Sequence, residues 1–317
     1  MNETDFLQRF TDGLNPLEFE LEHDGDERFC NVFLLGLPRS GTTLLTQVIH
    51  GNTNCRCTNN FMARFWKAPL VGAYLSHLTV PEPATPSYAS NFGQTSALGE
   101  PHEFSWFWQD LLELHTHPQD EEAVQKRKLD RSRIRRKVLG FNEVLRAPLV
   151  FKPLELVGFN IEQFAGFFDR SVFVFIDRSA MDMAFSIYKA KKKNEVLPND
   201  WWGSRPPEDF VRGLEGTSLE NRVAGQMHYF RELYKNKLPQ LPQDKLVMTS
   251  YEELCEAPTS VLERIAAKSG SGHGAVKVTN NPAPFARGAA IDVKDHPALF
   301  AALQDWGVSD RFGISEV

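Results

Sequence analysis

The stretch Asn31-Val-Phe-Leu-Leu-Gly-Leu-Pro-Arg-Ser-Gly-Thr-Thr-Leu-Leu45 decides how this chain folds. Val32, Phe33, Leu34 and Leu35 make an apolar run of strand length and β-favouring type, and Pro38 and Gly41 punctuate it. After Gly41, the apolar residues Leu44, Leu45, Val48 and Ile49 recur at helical spacing. The pattern predicts a strand, a Gly-rich turn and a helix in succession. In such an arrangement the turn's backbone N–H groups and the helix N-terminus point at one place, a nest for anionic oxygens.

The turn departs from the Walker A pattern. Gly-x4-Gly-Lys-[Ser/Thr] uses its Lys to reach the β/γ-phosphates and its hydroxyl to hold Mg²⁺. Here Gly36-Leu37-Pro38-Arg39-Ser40-Gly41 is followed by Thr42, and the cation is Arg39, inside the turn. That set is poorly equipped for ATP or GTP. It suits a nucleotide with a single 5′-phosphate and a short transferable group. A P-loop nucleotide kinase or phosphotransferase stays open as an alternative, as does a nucleotide-binding protein without catalysis. No clear Walker B Asp supports the kinase, because Asp177 ends a strand just before Arg178.

Leu37 to Leu45 resembles the 5′-phosphosulfate loop of sulfotransferases that use 3′-phosphoadenosine 5′-phosphosulfate (PAPS). The Arg-bearing form is similar to bacterial members and protein-tyrosine sulfotransferases. A second stretch, Ser171-Val-Phe-Val-Phe-Ile-Asp177, ends in Arg178 and is followed eight residues later by Ser186. It resembles the family's 3′-phosphate motif, with Ser179-Ala180 replacing a more usual pair. The chemistry agrees, since an Arg fork suits phosphate and a helical Ser two turns on lies near the same face.

The resemblance implies an α/β, three-layer P-loop-like fold with a mostly parallel central sheet. It also implies PAPS as donor, PAP as product and no metal. Pro38, Arg39, Ser40, Gly41, Thr42, Thr43 and Leu44 would form the 5′ cradle, and Arg178 and Ser186 would hold the 3′-phosphate. Lys152, ending the strand-like Leu149-Val-Phe, resembles the position of a Lys near the transferring group. Tyr251-Glu-Glu-Leu254 is similar to a largely architectural Tyr-Glu-Asp-Leu segment, and Arg287-Gly288 to a reduced loop closing on the 3′-phosphate.

The general base stays open. Within the family it is a downstream His or an earlier Glu, and Thr58-Asn59-Asn60 stand where the early Glu would fall. Gly99-Glu-Pro-His-Glu103 offers His102, whose unperturbed pKa suits the task, and Glu100 and Glu103, which would need burial. The acceptor is expected to be a small molecule with a hydroxyl or amine.

The 317 residues, 42% of them hydrophobic, fit one α/β domain over 1–317. A net charge of −6 and a pI near 5.9 argue against a general nucleic-acid binder. The four cysteines, Cys30, Cys55, Cys57 and Cys255, form no CxxC pair, so neither a zinc site nor a disulfide framework is indicated. The amino terminus has no basic n-region or apolar h-region, and no window approaches the ~20 apolar residues of a membrane span. A cytoplasmic protein, or one lacking its anchor, is expected. Oligomeric state is not legible.

Strand-like runs at 31–36, 149–152, 172–177 and 245–249 alternate with helical patterns, as in a parallel sheet covered by helices. Two irregular segments, about 79–101 and 191–220, are expected to lie as lids over the sheet's carboxyl edge. Trp201-Trp202 in the second would wall the acceptor site, whereas Trp106-Phe107-Trp108 reads as core. The basic run 125–146 carries Leu129, Ile134, Val138 and Phe141 at near-helical spacing, so it reads as a solvated helix face rather than a patch for an anionic acceptor.

Overall fold

The quoted stretch becomes the middle of the sheet. In the computed structural model, which describes residues 2–80, 86–91, 93–114, 121–153, 158–193, 201–288 and 291–312, strand β1 spans Asn31–Leu35 with every residue buried. It is followed by β2 (Arg56–Cys57), β3 (Leu149–Phe151), β4 (Ser171–Asp177) and β5 (Leu246–Ser250). The strand order is β2-β3-β1-β4-β5 and every pair is parallel. Val32 stands between Val150 and Val172. The two-residue β2 escaped the sequence reading because it is too short to show an alternation.

Side chains alternate across the strands, so the two faces differ in chemistry. Phe33, Leu35, Phe151, Phe173 and Phe175 point to one side and build an aromatic core. The Phe33 ring lies 4.9 Å from Phe164 and 5.5 Å from Phe173. Val32, Leu34, Val150, Val172, Val174, Ile176 and Val247 point to the other side and meet Leu45, Val48, Ile49, Val261, Leu262 and Ile265.

The helices follow in chain order. α1 (Glu3–Asp12) and α2 (Asn15–Glu20) precede the sheet, and α3 (Thr42–Asn52) leaves β1. Then come α4 (Pro69–Thr79), α5 (Ser105–Leu111), α6 (Glu121–Lys126), α7 (Arg131–Leu145) and α8 (Ile161–Ala165). α9 (Ala180–Lys193), α10 (Glu208–Arg212), α11 (Leu219–Lys237), α12 (Tyr251–Glu256), α13 (Pro258–Lys268) and α14 (Pro297–Asp305) complete the set. Helices thus cover both faces, with α3 and α13 on the valine side and α5, α7, α8, α9 and α11 on the aromatic side. The Trp106–Trp108 cluster packs as core, with Trp108 almost fully buried.

The basic run differs from its expectation. It is two helices, α6 and α7, and the second starts at Arg131 because Asp130 caps it by accepting from Arg133 N at 3.0 Å. Lys126, Lys128, Arg131 and Arg146 are exposed, as on a solvated face, but three of its charges are held by distant carboxylates. Lys137 bonds Glu18 at 2.8 Å and Glu22 at 2.9 Å, Arg136 bonds Glu22 at 3.0 Å, and Arg135 pairs with Glu27. These carboxylates lie more than a hundred positions away in sequence, so the run alone gave no sign of them.

Glu18 has a second task. Its Oε2 accepts from Leu70 N at 2.8 Å and Val71 N at 3.1 Å, capping α4 from outside the helix, since Ala68 at the N-cap has no side chain to do so. Glu18→Ala is expected to lower unfolding stability by about 2 kcal/mol, the cost of a lost cap together with a buried charged hydrogen bond. Urea unfolding checks it, and a loss below about 0.5 kcal/mol would show that the cap is redundant.

The first irregular segment begins where α4 closes at Thr79 and ends at Pro101, which bridges Asn59, and the second begins within α9 at Lys191 and ends within α11, which starts at Leu219. Their portions at 81–85, 92 and 194–200 lie outside the described residues.

Candidate functional site

Four parallel strands deliver polar residues to one edge of the sheet. The turn after β1, Lys152 after β3, Arg178 after β4 and Tyr251 after β5 all line a cavity of about 740 Å³. Chains that cross over in opposite directions on either side of β1 leave such a crevice at the carboxyl ends.

The turn's geometry explains its residues. Gly36 has φ +151°, and a Cβ there would lie 2.8 Å from both Ile176 O and Ser40 Oγ. Gly41 has φ +105°, and a Cβ there would lie 2.6 Å from the Tyr251 ring. Only glycine fits either place. Arg39 is left-handed too, at φ +73°. Intrahelical bonding in α3 begins with Leu45 N to Gly41 O at 3.0 Å, so the first amides of the helix, at Thr42, Thr43 and Leu44, have no intrahelical partner. Those three residues line the cavity, as do Pro38, Arg39 and Gly41.

Lys152 is the hub. It is 7% exposed, donates to Thr43 Oγ1 at 2.9 Å, and pairs with Glu103. Burial works to raise the Glu103 carboxyl, but Lys152, His102 and Arg39 together hold it below the usual glutamate range. The Glu103 side chain is 41% exposed, open to the cavity it lines. Arg39 Nε donates to Ser186 Oγ at 2.8 Å, and burial and then the neighbouring Arg178 pull its pKa down, against Glu103.

Arg178 lies 4.4 Å over the Tyr251 ring, reaches Arg39 O and Asp182 only at 3.4 Å, and keeps a buried Nε with no hydrogen-bond partner among the described residues. A guanidinium fork held this loosely has capacity for an anion.

Several expected residues lie elsewhere. Ser40 is fully buried under Gly36, with its amide taken by Leu37 O, and does not line the cavity. Ser186 supports Arg39 and is not part of the lining, because the left-handed turn swings Arg39 onto α9. Arg287 pairs with Glu256 at the surface, and neither it nor Gly288 lines the cavity, although Phe285 and Ala286 do.

Of the three base candidates, only Glu103 lines the cavity. Glu100 is 6% exposed, with Oε2 accepting from Gln47 Nε2 at 2.9 Å and Oε1 from Ser87 N at 2.5 Å. His102 accepts from Phe104 N at 3.0 Å through Nδ1, and burial lowers its pKa.

Gln47, Tyr88, Ala89, Ser90, Gly93 and Gln94 line the cavity without having been singled out individually. The only sequence signal for the last five was the irregular composition of the 79–101 segment. Trp202 lines the cavity, while Trp201 instead packs against Lys191 and Arg222.

A family profile described as "Sulfotransferase family" matches residues 31–271, from β1 to just beyond α13. The chain belongs to the sulfotransferase family. Among solved structures, sulfotransferase STF1 from Mycobacterium tuberculosis is 13% identical, with 83% of this chain and 74% of that one covered and a TM-score of 0.46. Sulfotransferase STF9 from Mycobacterium avium is 10% identical, with 98% and 74% covered and a TM-score of 0.47. The sulfotransferase domain of the curacin biosynthetic pathway is 15% identical, with 77% and 74% covered and a TM-score of 0.40. No curated protein sequence matches the chain.

For this sulfotransferase, no helix among the described residues is long and apolar enough to cross a membrane. No group of three or more His, Cys, Asp or Glu side chains among them is placed to hold a metal ion.

Proposed function

We propose that this chain transfers a sulfuryl group from PAPS to a hydroxyl of a small-molecule acceptor, an amine being a second possible nucleophile. The observation that carries the reading is the meeting of Arg39, Thr43, Lys152 and Glu103 at the N-terminus of α3 in one cavity. Family membership and fold support sulfuryl transfer, and the residues fit the donor. The unpaired amides of Thr42, Thr43 and Leu44 suit a 5′-phosphate, and the loosely held Arg178 fork suits the 3′-phosphate that distinguishes PAPS from adenylyl sulfate.

In this reading the acceptor oxygen attacks sulfur in line with the bridging oxygen. The new S–O bond forms as the bond to the 5′-phosphate breaks, and PAP leaves with the electron pair. Lys152 and Arg39 offset negative charge on the bridging and equatorial oxygens, a part that fixed cations play without a metal. Glu103 takes the acceptor's proton, being the candidate base that faces the cavity. The whole chain acts as one domain, with the 86–101 loop and Trp202-Gly203 closing the acceptor side.

Calorimetric titration with PAP and with ATP tests the donor. Measurable PAP binding with none for ATP is expected, because no Lys follows Gly41 to reach a γ-phosphate. ATP binding without PAP binding would overturn the reading in favour of a phosphotransferase.

A further inference from the structure

Gly93 sits at the tip of the 86–101 loop, where Asn91 and Gln94 exchange backbone hydrogen bonds of 2.9 and 3.1 Å. Its φ of +92° is a conformation glycine adopts freely. Its carbonyl accepts from Thr43 Oγ1 at 3.2 Å. A Cβ on this residue would lie 3.3 Å from Arg39 Nη1, 3.6 Å from Thr43 Oγ1 and 3.7 Å from Glu103 Oε1. One carbon-sized space is therefore faced by a guanidinium, a hydroxyl and a carboxylate at once, and it stays open because position 93 has no side chain.

The loop has little freedom to back away from that point. Gln47 Nε2, on the helix that carries the anion nest, donates to Ala89 O at 3.2 Å and to Glu100 Oε2 at 2.9 Å. Glu100 Oε1 takes Ser87 N, and Asn60 Nδ2 donates to both Thr95 Oγ1 and Ala97 O at 2.8 Å. The segment's two ends are thus stapled to each other and to the sheet side of the cavity, and the tip is held against Thr43.

We propose that Gly93 is a specificity-determining residue of the transfer site: its α-carbon closes the sulfuryl subsite, and the absent side chain leaves room for the sulfuryl oxygens beside the donors Arg39 and Thr43, with Glu103 left to face the acceptor's hydroxyl. The inference rests on the sulfuryl-transfer reading above. A methyl at position 93 makes ordinary contacts with Thr43 and Glu103 and a tight one with the end of the flexible Arg39 side chain, so there is room for it in the empty site, and the backbone strain of a non-glycine residue at φ +92° weighs equally on both nucleotide complexes. The same methyl occupies the space that the transferring group needs. PAP lacks that group and PAPS has it, so the pair separates this role from any general disturbance of the nucleotide site.

The test titrates the full chain, wild type and Gly93→Ala, with PAP and with PAPS by calorimetry. Gly270→Ala serves as a control, since Gly270 is also left-handed, at φ +83°, but a Cβ there meets nothing within 4 Å. Gly93→Ala is expected to keep PAP affinity within about twofold and to lose about 10-fold or more for PAPS, the usual cost of one extra carbon in a close-fitting pocket. Gly93→Asn, whose side chain tolerates left-handed backbone, is expected to share the selective loss. Gly270→Ala should change neither affinity. Equal PAPS affinity in wild type and Gly93→Ala, or equal losses for PAP and PAPS, would overturn the proposal. A wild type that binds neither nucleotide would instead overturn the sulfuryl-transfer reading on which it stands.

Discussion

Lys152→Ala is expected to lower kcat by about 10²–10³-fold with a far smaller change in PAP affinity, the loss typical of removing one preorganised charge donor. The side chain is buried at the end of β3, and it touches both Thr43 in the anion nest and Glu103 across from it. In the proposed reaction its charge is aimed where the leaving phosphate would develop charge, in a place with little water to screen it. Lys152→Arg should restore only part of the rate, because a planar fork does not replace a compact ammonium in a site built around one. Single-turnover kinetics with saturating PAPS measure the effect. A variant that loses only KM, with kcat unchanged, would mean that Lys152 binds the donor and does not act on the transfer.

Glu103→Gln should cost about 10²–10⁴-fold in turnover, the range for removing a positioned general base, while His102→Gln leaves turnover nearly unchanged. Equal losses in the two variants would remove Glu103 as the base. The resting site sets the pH dependence. Glu103 has its carboxyl held below the usual range by Lys152, His102 and Arg39 against the effect of burial. The free enzyme's kcat/KM is accordingly expected to stay flat from neutral pH down to the lower edge of the ordinary carboxylate range, with its acid limb below that. The same depression makes a stability statement. A carboxylate whose folded pKa lies below its unfolded one stabilises the fold above the unfolded value, and that contribution fades as pH falls through the folded value. Thermal midpoints of wild type and Glu103→Gln should differ most near neutrality and converge in acid.

Much of the turn's side of the cavity was legible because its information is local. Gly36 and Gly41 needed no partner to be read as turn glycines, and Thr42, Thr43 and Leu44 follow from the helix that begins there. The apolar run Val32, Phe33, Leu34 and Leu35 likewise carried the strand, and its uniform apolarity carried the burial of both faces. Ser40 and Ser186 stand off the cavity's lining for one reason: a motif says which residues stand near a turn, and only packing says which way each hydroxyl points. Ser40 turns under Gly36, and Ser186 is taken by Arg39.

By itself, the sequence determined a parallel α/β sheet and a Gly-rich turn between β1 and α3 that carries Arg39 and lacks the Walker Lys. The turn rests on residues within one or two turns of one another, and each strand of the sheet on a short apolar run that is legible by itself. Only the tertiary structure placed Glu103 on the cavity and left Glu100 and His102 off its lining, brought Gly93 to Arg39 and Thr43, and gave the basic run its carboxylates. Those roles depend on contacts between residues roughly 50 to 120 positions apart. Position along the chain does not encode such proximity, because the crossovers of a parallel sheet set it.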